Sequence, residues 1–157
     1  MPDMLVKLYD LPDPADLLKR LEASGIAVRP AMPYEKRRVV EWVRNLFGEG
    51  WASECDVAFA RFPVSCHIAS EKGSVIGFAC YEATCRNFFG PTGVVEHRRG
   101  LGIGRALLLS ALRAMLAFGY AYAIVGGTDN TEYYARTAGA TVIEGSSPGI
   151  YRERLKQ

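Results

Sequence analysis

The most informative segment of the chain reads Val94-Val95-Glu96-His97-Arg98-Arg99-Gly100-Leu101-Gly102-Ile103-Gly104-Arg105. Three of its glycines lie within five residues, between a predicted strand and the longest predicted helix. Glycines let the backbone approach a ligand closely, and the first turn of a helix offers unpaired N–H groups at the positive end of its dipole. Together these features favour the binding of a phosphate group.

The three arginines in and beside this segment narrow the choice of ligand. Arg98, Arg99 and Arg105 supply the positive charge that a pyrophosphate or a 3'-phosphate would favour. A dinucleotide-binding fingerprint would need a third glycine where Arg105 stands, and the Gly-Lys-Ser or Gly-Lys-Thr of a P-loop does not occur. The plainer interpretation is a tight turn with solvent-facing arginines, but such a turn gains nothing from three glycines.

The elements around the segment predict a strand–helix–strand unit. Residues 88–95 form a strand candidate, but Gly90, Pro91 and Gly93 lie inside it, so we expect it to be bulged or splayed from a neighbour. Residues 102–118 have the strongest helical periodicity of the chain. A strand at 120–125 follows, and the two strands should be parallel.

The remaining periodicities predict an α/β fold. Residues 64–70 and 75–85 form a hairpin around Gly73, and the second strand is apolar on both faces, as in the centre of a sheet. Helices are predicted at 15–23, 34–47, 52–61 and 131–137, and short strands at 4–8, 26–29, 141–143 and 150–155.

The pattern Arg99-x-x-Gly102-x-Gly104, with Val94 on the preceding strand, resembles the GNAT superfamily of acetyl-CoA-dependent N-acetyltransferases. The signature of that family is Gln or Arg, two variable residues, Gly, one variable residue, and Gly or Ala. The resemblance covers residues 26–155, including the order of elements. It implies a mixed, mostly antiparallel central sheet with a splayed parallel strand pair, flanked by helices. We expect one acetyltransferase domain over 1–157, with 1–25 as an N-terminal strand–helix extension.

The resemblance also implies which residues hold acetyl-CoA as a co-substrate. The backbone of the glycine segment would hold the CoA pyrophosphate, and the splayed strand would offer N–H groups to the pantetheine arm. Val94 matches the position whose N–H polarises the thioester carbonyl, as in an oxyanion hole. Asn130 would either cap its helix or contact pantetheine. The implied cofactor-binding residues are Val94, Val95, Arg99, Gly100, Leu101, Gly102, Ile103, Gly104, Arg105 and Asn130.

A tyrosine on the helix after the next strand often protonates the departing CoA thiolate in this family. Tyr134 is our choice for this general acid. The local spacing departs from the commoner family pattern by one residue, so Tyr133 is a rival. Both rings could instead pack under the sheet.

The general base is less defined, because residues 88–95 contain no carboxylate before the glycine segment. Glu82 is the best substitute. A carboxylate on a central strand costs folding free energy unless it has a binding partner or a functional role. A salt bridge to Arg86 would explain it equally well. A water chain needs no single base, and the weaker candidates are Glu54, Asp56, His67 and His97.

The acceptor is expected at residues 48–54, beside the first helices. Trp51 could form a wall for the acceptor and Glu54 could attract an amine, although Trp51 could equally belong to the core. The acceptor would be a small-molecule or peptide amine. No metal is expected: the chain has no Cys-x-x-Cys, and Cys66 and His67 are neighbours on a strand and point to opposite faces. The cysteines are read as reduced and buried, without an acyl-enzyme role.

Composition excludes several classes of protein. The chain has 157 residues, 49% of them hydrophobic and 23% charged, as in one ordinary folded domain. A formal charge of +2 is far from that of a general nucleic-acid binder. No apolar run reaches the roughly 18 residues of a membrane span, and the first ten residues lack the zones of a signal peptide, so we expect a cytoplasmic protein. The sequence is compatible with a monomer and with a homodimer.

Two other functions are compatible with the same residues. The absent strand carboxylate and the shifted tyrosine would suit a non-catalytic acyl-CoA-binding sensor or an assembly module. A nucleotide-dependent transferase could use the same phosphate-binding segment.

Overall fold

The computed structural model describes residues 1–156 as one seven-stranded sheet flanked by five helices. The strands are Met4–Lys7 (β1), Ile26–Pro30 (β2), Cys66–Glu71 (β3), Ser74–Tyr81 (β4), Phe88–Val94 (β5), Tyr122–Val125 (β6) and Thr141–Val142 (β7). The helices are Ala15–Ala23 (α1), Lys36–Phe47 (α2), Glu49–Phe59 (α3), Ile103–Phe118 (α4) and Thr131–Ala138 (α5). The strand order is β2-β3-β4-β5-β6-β1-β7.

Strand β4 lies inside the sheet and is apolar on both faces because helices cover both sides. Ile76 belongs to the core beneath α4, whose Leu107 and Leu112 are fully buried. Phe78 instead faces the core that α2 and α3 build with Val43. The predicted hairpin and the predicted central strand are both confirmed.

Strands β5 and β6 separate soon after they meet. They form the sheet's one parallel pair within residues 1–156, with Phe88 opposite Ile124 and Phe89 opposite Val125. Beyond Phe89, residues Gly90 to Val94 continue along β4 without a partner on the β6 side. The predicted splayed parallel pair is therefore confirmed, and the divergence opens a gap in the sheet next to the first turn of α4.

The prediction of a strand at residues 150–155 is wrong. Residues Gly149–Tyr151 form a single 3-10 turn, and Ile150 is half exposed. The place beside β6 is taken by β1, which pairs with β6 on one edge and β7 on the other. Met4 and Val6 are almost fully buried there, so β1 supplies the apolar contacts that a closing strand would have made.

None of the helices within residues 1–156 is long and apolar enough to cross a lipid bilayer.

A buried histidine makes the stability of the fold depend on pH. His67 on β3 is 7% exposed, its Nδ1 has no hydrogen-bond partner among residues 1–156, and burial lowers its pKa to about 4. The unfolded chain, with an ordinary histidine pKa of about 6.5, binds the proton more readily. We therefore expect the stability due to neutral His67 to be complete above pH 6.5 and to fall by about 3 kcal/mol as the pH drops to 4.

The check is urea denaturation of the wild-type protein and a His67→Phe variant between pH 7.5 and pH 4. The variant should lose less unfolding free energy over this range. A His97→Gln variant is the control, because His97 is exposed and should leave the wild-type pH profile intact. Equal losses in the wild type and in His67→Phe would contradict the prediction.

Candidate active site

A cleft of about 1500 Å³ lies where β5 and β6 diverge. It is lined by the splayed part of β5, the first turn of α4, the loop after β6, and α5. Helix α3 and the turn around Tyr151 line it as well. The cleft thus connects the predicted phosphate-binding segment with the region predicted for the acceptor.

The glycine segment forms a bend of the backbone that presents free donors to the cleft. Gly100 and Gly102 have φ values of +84° and +89°, in the left-handed region that favours glycine. A Cβ on Gly102 would also lie 2.9 Å from Leu17 Cδ1. Helix α4 begins at Ile103, and its N-terminal N–H groups have no acceptor within the helix. Such an arrangement of backbone donors suits an anion.

The exposed edge of β5 offers a further backbone donor. Val95 N–H donates to Ile76 O on β4 at 2.9 Å. Successive N–H groups of a strand point to opposite edges, so the N–H of Val94 points away from β4 and towards the cleft. The carbonyl of Val94 lies on that same edge and accepts a hydrogen bond from Arg99 Nε at 3.2 Å. Val94 therefore has the geometry that the resemblance implies for its N–H.

Positive charge dominates the cleft. Four arginines line it (Arg98, Arg99, Arg105 and Arg154), against the two carboxylates of Glu54 and Asp129. Arg98 is held by an ion pair with Glu71, whereas Arg105 makes none of the ion pairs found within residues 1–156. A surplus of guanidinium groups beside the helix start suits a ligand with several phosphate oxygens.

Both predicted tyrosines line the cleft, at different places. The Tyr133 hydroxyl lies 3.5 Å from the position that a Cβ on Gly104 would take, next to the glycine segment. Tyr134 is 8% exposed and packs edge-on against Phe89, where β5 leaves β6. Burial raises the pKa of Tyr134 well above its ordinary value of 10, so the phenol keeps its proton at neutral pH. Burial also raises the pKa of Tyr133, and Arg105 partly offsets that rise.

Asn130 stands at the N-cap position of α5 but does not cap the helix by its side chain within the described structure. Its backbone N–H donates to Thr128 Oγ1 at 3.0 Å, and the residue lines the cleft. The expected capping role is therefore wrong. Contact with a cleft ligand, the other predicted role, stays a prediction.

The part of the cleft that the sequence predicts for the acceptor has an aromatic wall. Trp51 stacks on Phe47 with ring centroids 5.4 Å apart, and Phe47 presses on β5 so closely that a Cβ on Gly93 would lie 2.6 Å from Phe47 Cζ. Trp51 is 39% exposed and lines the cleft, so it both packs and faces a ligand. Glu54 lies one turn further along α3, lines the cleft and accepts a hydrogen bond from Thr84 Oγ1.

Tyr151 was missed by the sequence analysis, which placed it in a strand. The 3-10 turn brings its ring over the two glycines after β6, and its hydroxyl would lie 2.7 Å from a Cβ on Gly126. Burial raises the pKa of Tyr151, and the nearby carboxylates of Glu54 and Asp3 add to the rise. The pair Gly126-Gly127 directly after a strand was the available signal, since such glycines permit a close approach.

Glu82 is not brought to the cleft, contrary to the expectation for a general base. It follows the end of β4, with φ at +59°, and is 7% exposed. Its Oε1 accepts the Asn87 N–H at 2.6 Å and its Oε2 accepts the Tyr120 hydroxyl at 3.0 Å. No ion pair with Arg86 is present in the described part of the chain. Glu82 closes the loop between β4 and β5.

The other predicted bases also do not line the cleft within the described residues, with one exception. Asp56 forms an ion pair with Lys36 at 2.9 Å, His67 is buried in the sheet, and His97 is exposed. Of the predicted bases, Glu54 alone lines the cleft, as far as residues 1–156 show.

A Glu82→Ala variant is expected to lose about 2 kcal/mol of unfolding free energy, because two donors to a charged acceptor lose their partner. Its rate of catalysis per folded molecule should stay unchanged. Urea denaturation and steady-state kinetics measure the two quantities separately, with Glu144→Ala as a control at an exposed position. A collapse of kcat with intact stability would contradict this structural role.

Residues 36–140 match the family model described as the Acetyltransferase (GNAT) family. No curated protein matches the chain.

Solved structures with this fold are similar over most of the chain. A GCN5-related glucosamine N-acetyltransferase region in a fungal multi-domain GH3 β-N-acetylglucosaminidase has a TM-score of 0.72 and 17% identity, covering 90% of this chain and 19% of that one. A GCN5-related N-acetyltransferase from Sphaerobacter thermophilus has a TM-score of 0.62 and 22% identity, covering 90% and 48%. A GNAT family acetyltransferase from Brucella melitensis, in complex with acetyl-CoA, has a TM-score of 0.52 and 19% identity, covering 75% and 86%. The chain thus spans less than half the length of the first two, and at such identities the likeness shows the fold alone.

Proposed function

Because the chain belongs to the GNAT family of acetyltransferases, we propose that it transfers the acetyl group of acetyl-CoA directly to a primary amine. One observation carries this proposal: the free N–H groups at the start of α4 and the free N–H of Val94 open into the same cleft. An anion site and a carbonyl-polarising donor in one cleft suit a ligand that has a diphosphate at one end and an acyl thioester at the other.

The cleft fits such a ligand at three places. The N–H groups of Ile103, Gly104 and Arg105 would hold the diphosphate, where Gly104 leaves space that a longer side chain would fill. The unpaired edge of β5 at Val94 would hold the pantetheine arm from one side, and Asn130 from the other. Val95, whose N–H is bound to Ile76 on β4, does not line the cleft within the described residues. Acetyl-CoA, when bound, supplies an activated acetyl group. The Brucella melitensis neighbour, which holds acetyl-CoA, supports this assignment.

The residues of the chain would then act in a defined order. The Val94 N–H donates to the thioester carbonyl oxygen and stabilises the negative charge that develops there as the amine attacks. The Tyr134 phenol, whose pKa burial raises, keeps its proton until the C–S bond breaks and then donates it to the CoA sulfur. The acetyl group moves in one displacement, so no side chain is acylated and no metal is required.

Glu54 is the proposed anchor of the acceptor. A carboxylate at the acceptor end attracts an ammonium group, and it can take the proton that the amine must lose before it attacks, directly or through water. Trp51 and Tyr151 beside it offer flat apolar surfaces for the body of the acceptor. The fungal neighbour is described as a glucosamine N-acetyltransferase, which makes amino sugars one class to include among the acceptors tested.

The experiment has two steps. Titration calorimetry with acetyl-CoA should give a saturable heat, and a library of primary amines should then be screened for release of the CoA thiol. A library of amino acids, amino sugars, polyamines, amino-group antibiotics and peptides covers the main classes. Absence of both heat and thermal shift at millimolar acetyl-CoA would refute the proposal.

A Glu54→Gln variant is expected to raise KM for the amine by roughly tenfold or more, because a neutral amide attracts an ammonium group far less than a carboxylate does. The Kd for acetyl-CoA should stay unchanged. Glu49→Gln on the same helix is the matched control, because its ion pair with Arg44 is largely solvated. Unchanged KM across all accepted amines would contradict the role of Glu54.

A second candidate is an acyl-CoA sensor without turnover. The position of Glu82, away from the cleft, favours it, since the carboxylate first expected to act as base is used in a loop. Such a sensor would give the calorimetric signal but no thiol release with any amine.

We also propose a reducing compartment such as the cytoplasm, because the four cysteines are all free thiols.

A further inference from the structure

Three cysteines meet in the core on the α2–α3 side of the sheet. Cys66 and Cys80 lie directly opposite each other in the β3–β4 register, and Cys55 packs onto them from α3. The three Sγ atoms lie within 4.8 Å of one another, and all three residues are fully buried. The cluster is separate from the cleft, which Cys66, Cys80 and Cys55 do not line in the described structure.

The cluster, called here the thiol triad, has the composition of a soft-metal site. Within residues 1–156, no histidine or carboxylate joins the three sulfur atoms, and the neighbours are apolar. The Cys66 thiol donates a hydrogen bond to the carbonyl oxygen of His67 at 3.6 Å. Sulfur ligands of this kind are the ones that soft, thiophilic centres prefer.

Coordination and charge decide which ion the triad would accept. Hard cations prefer oxygen ligands, and structural zinc takes four ligands where the triad has three. A monovalent or divalent ion bound by three thiolates would leave a net negative charge in an apolar core, which is costly. A trivalent thiophilic centre bound by three thiolates is neutral.

We propose that the thiol triad binds trivalent arsenic, taken up as arsenite. In this exchange As(OH)₃ reacts with three S–H groups, three As–O bonds break, three As–S bonds form, and three waters leave with the thiol protons. Nothing is oxidised or reduced. The strands that carry Cys66 and Cys80 are fixed by their hydrogen-bonded ladder, so access requires displacement of α3, which carries Cys55. Once bound, the arsenic ties α3 to both strands and stabilises the fold.

The test uses the full chain, reduced with a thiol-free phosphine and titrated with sodium arsenite. Native mass spectrometry should show one arsenic per chain with the loss of three protons, and near-ultraviolet absorption should show the sulfur-to-arsenic band. The melting temperature should rise with arsenite concentration. Cys85→Ala is the matched control, because Cys85 lies outside the triad and should leave the apparent Kd unchanged.

Replacing any one of the triad by alanine should weaken arsenite binding at least tenfold, and variants are compared only after thermal melting shows that they fold. If all three alanine variants fail to fold, the proposal is decided by two other results. These are the number of protons that the wild-type protein loses on binding arsenic and the apparent Kd of Cys85→Ala. Loss of only two protons, dependence on Cys85, or no uptake at millimolar arsenite would overturn the proposal and leave the triad as apolar packing. The outcome is independent of acetyl transfer, since binding is read without substrate.

Discussion

A Tyr134→Phe variant is expected to transfer acetyl groups about 10²-fold more slowly than the wild-type protein, or slower still, while binding acetyl-CoA with nearly unchanged affinity. The change removes one hydroxyl and keeps the ring that packs against Phe89. The departing thiolate would then have to take its proton from water. The variant therefore separates a role in the chemical step from a role in packing.

Tyr133→Phe is the matched control, because the two rings are neighbours with centroids 5.1 Å apart and both line the cleft. The Tyr133 hydroxyl lies beside Gly104, so its loss should affect binding of the diphosphate end more than the rate of transfer. The measurements are kcat from thiol release and Kd from calorimetry. A large loss of kcat in Tyr133→Phe with little change in Tyr134→Phe would reverse the assignment.

The pH dependence of the two proteins gives a further check. Because the pKa of Tyr134 is raised, the general acid should stay protonated through mildly alkaline pH. The wild-type kcat should therefore not decline between pH 8 and pH 9.5. A decline there that disappears in Tyr134→Phe would show that the phenol titrates much lower than its burial implies.

A Gly104→Val variant is expected to bind acetyl-CoA roughly 10²-fold more weakly or worse and to remain folded. A Cβ at this position would lie 3.5 Å from the Tyr133 hydroxyl and 3.7 Å from Val94 Cγ2, which are ordinary contact distances, so the fold should accept the valine. The two methyl groups of the valine would then occupy the space proposed for the diphosphate. Losing two hydrogen bonds to a charged group costs about 3 kcal/mol or more, which corresponds to this factor.

Ser110→Val is the control for Gly104→Val. It places the same β-branched residue on α4, away from the cleft, and carries the same restriction of side-chain freedom. Calorimetry gives Kd for both variants, and thermal melting checks the fold. Retention of wild-type affinity by Gly104→Val would mean that the start of α4 does not hold the diphosphate.

The parts of the fold that depend on local chemistry could be predicted from the sequence. The periodicity of α4 and the glycines before it are short-range features, and the structure places both as expected. The same is true of β5, where Gly90, Pro91 and Gly93 indicated the separation from β6. Alternation along β3 also predicted that Cys66 and His67 point to opposite faces. Cys66 lies in the core under α2 and α3, whereas the His67 ring lies beside Tyr81, which belongs to the core under α4.

The parts that depend on distant contacts could not be predicted. Apolar residues at 150–155 indicated a closing strand, but that place beside β6 is taken by β1. The two strands are far apart in the sequence, and no local pattern predicts that they pair. Glu82 followed the alternation of β4, yet the backbone turns at that residue and its carboxylate binds Asn87 and Tyr120 instead. The approach of Cys55 to the other two thiols likewise depends on how α3 packs.

The position of β1 has a consequence for how the protein forms in the cell. Its partners, β6 and β7, follow it in the chain only at residues 122–125 and 141–142, so β1 must wait until the ribosome has made the segment between them. Until then its apolar residues Met4 and Val6 are exposed and available to chaperones or to other nascent chains. We therefore expect a nascent chain to gain resistance to proteolysis abruptly, once β6 and β7 have emerged from the ribosome.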